Sequence, residues 1–179
     1  MVNKGKKIFN KLANGSFPVI CAINGHALGG GRELALTCDI RIAEQKAKLS
    51  FPETSLAILP GYGGTQRLTH LIGPGRAKYM IFTRETFSAD QAYEWGVVEK
   101  VVPNGESINE SYTVAQQIVN KGSLAIVKAK LAINQGLDCT LAEGQALETK
   151  FFADLCQTED MLEGVKAFKE KRMAIYFGK

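Results

Sequence analysis

The chain has 179 residues, 45% of them hydrophobic and 22% charged, enough to bury the core of one domain or slightly more. Its 22 Lys and Arg against 18 Asp and Glu leave a net charge of +4, too small and too scattered to argue for nucleic-acid binding, although it mildly favours anionic partners. No stretch approaches the ~20 consecutive apolar residues of a membrane span, since the apolar run from Phe17 to Ile23 meets Asn24 and Gly25 at once.

Residues Met1 to Ser16 are rich in lysine and carry no acid, as an organellar targeting segment would, but they hold no arginine. Ile8, Phe9 and Leu12 recur at helical spacing, so the segment reads as a solvated helix. Pro18 to Ile23 then reads as a strand, Asn24-Gly25 as a turn, and Gly29-Gly30-Gly31 as the opening of a helix over Arg32 to Thr37. A second strand follows at Asp39 to Ile42, which is α/β grammar. Pro60-Gly61, Gly63-Gly64 and Pro103-Asn104-Gly105 mark further loops.

Short helices are predicted over Thr65 to Ile72, Gly75 to Thr83 and Ser88 to Trp95, followed by a buried strand Val97 to Val102 that Pro103 ends. Beyond it, residues near 107–121, 123–136, 140–156 and 158–175 read as four helices with no further strand. Ser123 is placed as the cap of the helix that Gly136 stops, and Thr158 with Glu159 and Asp160 marks the next start. Met161, Val165 and Phe168 share a face of the last helix, so that stripe should pack on the core or on a subunit neighbour. The division expected is an α/β body over 1–105 and a helical region over 106–179.

Cys21, Cys38, Cys139 and Cys156 form no CxxC pair and read as buried thiols rather than a zinc site or disulfide framework. With His26 and His70 alone and no HExxH, a metal site is not expected. The chemistry points instead to glycine and glutamate. A glycine turn running straight into a helix lets a ligand approach the backbone and aims free N–H groups at an incoming oxygen. Counting from Gly29, the sixth position is Leu34, so the dinucleotide fingerprint fails, and no GK[ST] follows.

Glu33 lies one helical turn from those N–H groups, where it serves either as a proton carrier or simply as a charge on the helix dipole. Glu53 follows Pro52 among Phe51, Leu56 and Ile58, an apolar surround able to raise a carboxyl's pKa, or it too is a helix-start acid. Two glutamates beside glycine loops, with no GxSxG, suggest general acid–base work on a substrate whose oxygen is held by backbone donors.

Three stretches carry a family resemblance: Ala22-Ile23-Asn24-Gly25-His26-Ala27-Leu28-Gly29-Gly30-Gly31-Arg32-Glu33-Leu34-Ala35, then Pro52-Glu53, then Pro60-Gly61-Tyr62-Gly63-Gly64-Thr65-Gln66-Arg67-Leu68. In that order the chain resembles the enoyl-CoA hydratase (crotonase) family, and the likeness continues through Trp95-Gly96-Val97-Val98 to Glu163 and Arg172. The resemblance implies a crotonase-like ββα superhelix, lacking its N-terminal turns here, with an all-helical C-terminal trimerisation region.

By the same resemblance Gly30 matches the oxyanion N–H donor, while Glu33 and Glu53 match the catalytic acids. Ala27, Leu28, Gly29, Pro60 and Gly61 fall at substrate-binding positions. Phe152 and Lys171 match contacts to the adenine and phosphate end of coenzyme A, although a core aromatic and a solvated last-turn lysine stay open as readings. His26 is read as structural.

The implied reaction is syn addition of water to a 2-trans-enoyl-CoA, giving a 3-hydroxyacyl-CoA in fatty-acid or amino-acid degradation. An isomerase of the same family, or a non-catalytic subunit, remains open. No cofactor beyond the coenzyme A of the substrate is implied. The expected partners are an acyl-CoA thioester and further copies of the chain, as a homotrimer or dimer of trimers, with no membrane and no nucleic acid. A cytoplasmic setting is expected, or a mitochondrial one in a eukaryotic source. Family chains carry a substantial portion before the strand at Phe17, including a second oxyanion donor, so a fragment or a second completing chain is expected here.

Overall fold

The computed structural model describes residues 2–179. They form two compact units: residues up to Gly15 together with Val19–Thr113, and Ser16–Pro18 together with Val114–Lys179.

The first unit begins with helix α1 (Val2–Ala13). Strand β1 (Ile20–Ile23) and strand β2 (His26–Leu28) follow, separated by the Asn24-Gly25 turn, and then helix α2 (Gly30–Ala35). The same succession recurs as β3 (Ile40–Glu44), β4 (Lys48–Ser50) and a single 3-10 turn at Glu53–Leu56. Helices α3 (Gly64–Ile72) and α4 (Pro74–Thr83) lead to the two-residue strand β5 (Phe87–Ser88), helix α5 (Ala89–Glu94) and strand β6 (Lys100–Val102).

The strands sort into two sheets. The first has the order β1-β3-β6, all parallel, with Ile20 opposite Ile40 and Ile42 opposite Lys100. The second has the order β2-β4-β5, with β2 and β4 parallel and β5 antiparallel to β4. Parallel pairing requires a crossover, and each step between parallel neighbours in one sheet passes through a strand of the other sheet. The chain therefore winds as a spiral of two-strand turns. Ile23, Ala43, Leu49, Phe51, Leu68, Met80 and Phe87 fill its core.

Several sequence-based boundaries shift for local reasons. The strand expected over Val97 to Val102 pairs only from Lys100, because Gly96 takes φ 74° and turns the chain while Val97 and Val98 are buried beyond it. Ser88 is the cap of α5 rather than its first residue: its hydroxyl accepts from the Gln91 N–H while the Gln91 side chain accepts from the Ser88 N–H. Strands β2, β4 and β5 were not expected at all.

In the second unit, α7 (Ser123–Gly136) packs on α8 (Leu141–Leu155), and α9 (Glu159–Glu170) carries the C-terminal segment. Helix α6 (Ser107–Val119) spans the junction of the two units. Ser123 is not a cap; it is the first helical residue, preceded by Gly122, which offers no side chain. Thr158 does cap α9, accepting from the Met161 N–H. The last helix stops at Glu170, short of the expected 175, because Lys171 adopts a left-handed conformation at φ 54°.

The tail then folds back: the Asp160 carboxylate accepts from the N–H groups of Phe177 and Gly178 at 2.7 and 2.9 Å. Met161 is half-buried, whereas Val165 and Phe168 remain exposed. The expectation of four buried thiols is also corrected: Cys38 is buried, Cys21 and Cys139 are half-buried, and Cys156 is exposed.

Candidate active site

The turn from β2 into α2 rests on Gly29, whose φ of 52° and ψ of −125° suit a residue without a Cβ. Its N–H donates to the Ser50 carbonyl at 3.2 Å, which ties the turn to β4. The N–H groups of Gly30, Gly31 and Arg32 lie in the first turn of α2, where no preceding carbonyl of the helix reaches them.

Glu33 sits on that same turn and is almost wholly buried. Its Oε1 accepts two backbone hydrogen bonds, from Tyr62 N–H at 2.7 Å and Gly64 N–H at 2.8 Å. Glycine at 64 is required for this grip: a Cβ there would stand 2.9 Å from both Glu33 Oε1 and the Phe51 ring. Both bonds fall on Oε1.

Glu53 opens the 3-10 turn that follows Pro52. Its Oε1 lies 3.1 Å from where a Gly29 Cβ would be, so the carboxyl rests against the glycine turn, and its buried Oε2 has no hydrogen-bond partner. Burial, and after it the charge of Glu33, pushes the Glu53 carboxyl above its ordinary pKa, against the pull of its own backbone amide and of Arg32. The expected apolar surround is only partly present. Phe51 is buried, but Leu56 and Ile58 are exposed at 70% and 59%.

The two glutamates thus adjoin one glycine turn and sit in different environments, one pinned by amides and one buried with an unpartnered oxygen. Ala27 is buried and Leu28 exposed on β2 beside them, and Pro60 is buried next to Gly61 in the loop that ends with the amides on Glu33. Phe152, on α8, and Lys171, after α9, belong to the second unit. Phe152 is 69% exposed, which removes the core-aromatic reading; Phe151 is the half-buried one, with Lys128 Nζ 4.7 Å from its ring centre.

Sequence reasoning missed the residues that hold the Tyr62 loop. Phe9 on α1 meets the Tyr62 ring edge-on at 5.4 Å between centroids. Arg67 donates through Nη1 to the Tyr62 carbonyl at 2.9 Å and through Nη2 to Asn10 Oδ1 at 2.6 Å. Only the helical spacing of Ile8, Phe9 and Leu12 hinted that α1 has a contact face. Among the described residues no group of three His, Cys, Asp or Glu side chains is placed to hold a metal, and no helix is long and apolar enough to cross a membrane.

Parallel strands alternating between two sheets, with a glycine turn and two buried glutamates at their ends, make up a fold that known proteins share. The enoyl-CoA hydratase/isomerase profile matches residues 1–179, and the chain belongs to that family. It is 45% identical over 168 residues to the short-chain-enoyl-CoA hydratase of Clostridium acetobutylicum, covering 94% of this chain and 64% of that protein. It is 43% identical over 175 residues to the crotonyl-CoA hydratase of Syntrophomonas wolfei, covering 98% of this chain and 67% of that one. This chain therefore spans about two thirds of the length of the curated relatives it matches. The crystal structure of an enoyl-CoA hydratase from Bacillus anthracis superposes with a TM-score of 0.97 at 45% identity, over 99% of this chain and 69% of that one. The expected crotonase fold is borne out.

Proposed function

We propose that the chain carries the acid–base site of an enoyl-CoA hydratase, adding water syn across a 2-trans-enoyl-CoA to give a 3-hydroxyacyl-CoA. The observation that carries this reading is the unequal pair at one glycine turn: Glu33 with two amides on one oxygen, and Glu53 buried with an oxygen unpartnered. In this reading Glu33 Oε2 accepts a proton from the water whose oxygen attacks C3. Glu53, whose hold on its proton is strengthened by burial and the neighbouring charge, delivers that proton to C2. Negative charge developing on the thioester oxygen meets the Gly30 N–H at the start of α2. The proton now on Glu33 passes to Glu53, and both acids return to their starting states.

Ala27, Leu28, Gly29, Pro60 and Gly61 would line the path of the acyl thioester. Phe152 and Lys171 would meet the adenine and phosphate end of coenzyme A on a neighbouring subunit, in a homotrimer or dimer of trimers. Coenzyme A enters with the substrate, so the proposed site needs no separate cofactor. Retention of both acids favours the hydratase over an isomerase, in which one carboxyl suffices to move a proton along the chain. The test is hydration of crotonyl-CoA, followed by loss of the enoyl-thioester absorbance. Turnover by the wild type and its loss in Glu33→Gln and Glu53→Gln are expected; an inactive wild type, or two harmless substitutions, would overturn the reading.

A further inference from the structure

Two arginines are buried in the first unit, and they are treated very differently. Arg41 donates through Nε to the Val97 carbonyl at 2.9 Å and through Nη1 to the Cys38 carbonyl at 2.6 Å, and its Nη2 pairs with Glu99. Arg32 is completely buried, and its Nε and Nη1 have no hydrogen-bond partner. Its one donation is from Nη2 to the Met80 thioether at 3.3 Å, and its guanidinium lies 4.6 Å from the centre of the Phe51 ring. A buried cation left short of acceptors costs stability, and an apolar side chain of similar volume would fit the core better.

The position of this cation gives it a use. Arg32 directly precedes Glu33 on α2, and it stacks on Phe51, two residues before Glu53. Glu53 Oε2 is itself buried without a partner. Neither group has a direct ion pair, yet each acts on the other: Glu53 supports the charged form of Arg32, and Arg32 supports the charged form of Glu53. Burial draws the guanidinium down to about 9 even with the charge of Glu53 opposing it.

We propose that Arg32 is a positioning residue whose buried guanidinium supplies the counter-charge that sets how tightly Glu53 holds its proton. The charged groups acting on Glu53 are Arg32 and Glu33, both on α2. Helix α4 contributes the neutral Met80 to the same packing, and Arg67 of α3 acts on Glu33 rather than Glu53. Without Arg32, burial and the charge of Glu33 act on Glu53 unopposed except by its own amide. The proton is then held to higher pH, and the carboxylate needed for the reverse, dehydrating direction becomes scarcer.

The experiment is an infrared titration of the protonated carboxyl band of Glu53 in the full chain, assigned by its disappearance in Glu53→Gln. Arg32→Met raises its midpoint by about one pH unit or more, the usual size of the shift from a neighbouring opposite charge. Arg32→Lys keeps the charge and keeps the wild-type midpoint. A midpoint unchanged in Arg32→Met, or moved equally in both variants, overturns the proposal. So does failure of both Arg32→Met and Arg32→Gln to fold, because a group held for its charge leaves the core tolerant of its loss. The kinetic arm rests on the hydratase reading: the basic limb of kcat for hydration moves up by the same amount in Arg32→Met, with KM unchanged. Absence of crotonyl-CoA turnover in the wild type would remove that reading alone, since the infrared midpoint is measured without substrate.

Discussion

The two units handle apolar surface in opposite ways. In the first, Phe51, Leu49, Leu68 and Met80 are sealed, and the carboxyls of Glu33 and Glu53 are sealed with them. In the second, α8 buries no residue completely and α7 buries only Lys130, whose Nζ donates to the Phe17 carbonyl at 2.9 Å. Leu162, Phe168, Met173, Ile175 and Phe177 are all exposed by more than 60%. Proton transfer tolerates little misplacement, so the proposed reaction would draw on the unit whose carboxyls are packed among buried neighbours. The helical unit keeps its shape by polar ties instead, and its apolar side chains are free to meet another surface.

The sharpest way to break the comparison is at the acids. Glu33→Gln and Glu53→Gln are each expected to lower crotonyl-CoA hydration by about 10²- to 10⁴-fold, the usual contribution of a positioned acid or base, as measured by steady-state kcat. The same Glu53→Gln protein should be more stable than wild type at neutral pH. The folded-state pKa of Glu53 is raised, so the native state binds the extra proton, and stability falls as pH rises from the unfolded value through the folded one. Thermal melting at two pH values checks the sign: the gain should shrink on acidification.

Next in size is Gly64→Ala. Its Cβ would meet Glu33 Oε1 and the Phe51 ring at 2.9 Å, so one of the amides on Glu33 must move. A loss of about 10²-fold in kcat is expected, as for a comparable misplacement of a reacting group, with a fall in melting temperature smaller than a core deletion gives. A variant with wild-type kcat would show that the grip on Glu33 is dispensable.

In the helical unit, effects should be on stability and not on rate. Asp160→Ala removes the acceptor of two tail N–H groups and should cost about 2 kcal/mol by denaturant titration, with faster proteolysis of the last residues. The smallest effect belongs to Arg172→Met. Hydrogen bonds from Arg172 and from the Ile175 N–H hold the Glu163 carboxyl down to about 2. The depressed value means this contribution is present above the ordinary carboxylate pKa of 4.5 and fades as pH falls toward 2. Wild type and variant should therefore differ in melting temperature at pH 7 and converge at low pH.

Much of the site was legible because it is written in residue identities. Gly29, Gly30, Glu33, Glu53 and the Pro60 to Gly64 loop stand in the sequence as a pattern that physical reasoning and family resemblance both single out. The grip on Glu33 was not, because its donors are the main-chain N–H groups of Tyr62 and Gly64, which every non-proline residue carries. Arg32 escaped notice because a guanidinium beside a glycine turn is ordinarily solvated.

Among the elements, the helices followed from their apolar spacing, while strands of two or three residues such as β5 and β4 are too short for a period of two to show. Ser123 was a plausible cap by type, but the cap is set by backbone geometry one residue earlier.

The loop that supplies both amides to Glu33 is itself clasped by α1, through Phe9 on the Tyr62 ring and Asn10 on Arg67. Fraying of that first helix would travel through the Asn10–Arg67, Arg67–Tyr62 and Tyr62–Glu33 contacts to a carboxylate 23 positions beyond Asn10. Protease digestion that trims α1 should then erode proton transfer before it unfolds the spiral, so that activity would be a more sensitive gauge of the amino-terminal helix than circular dichroism.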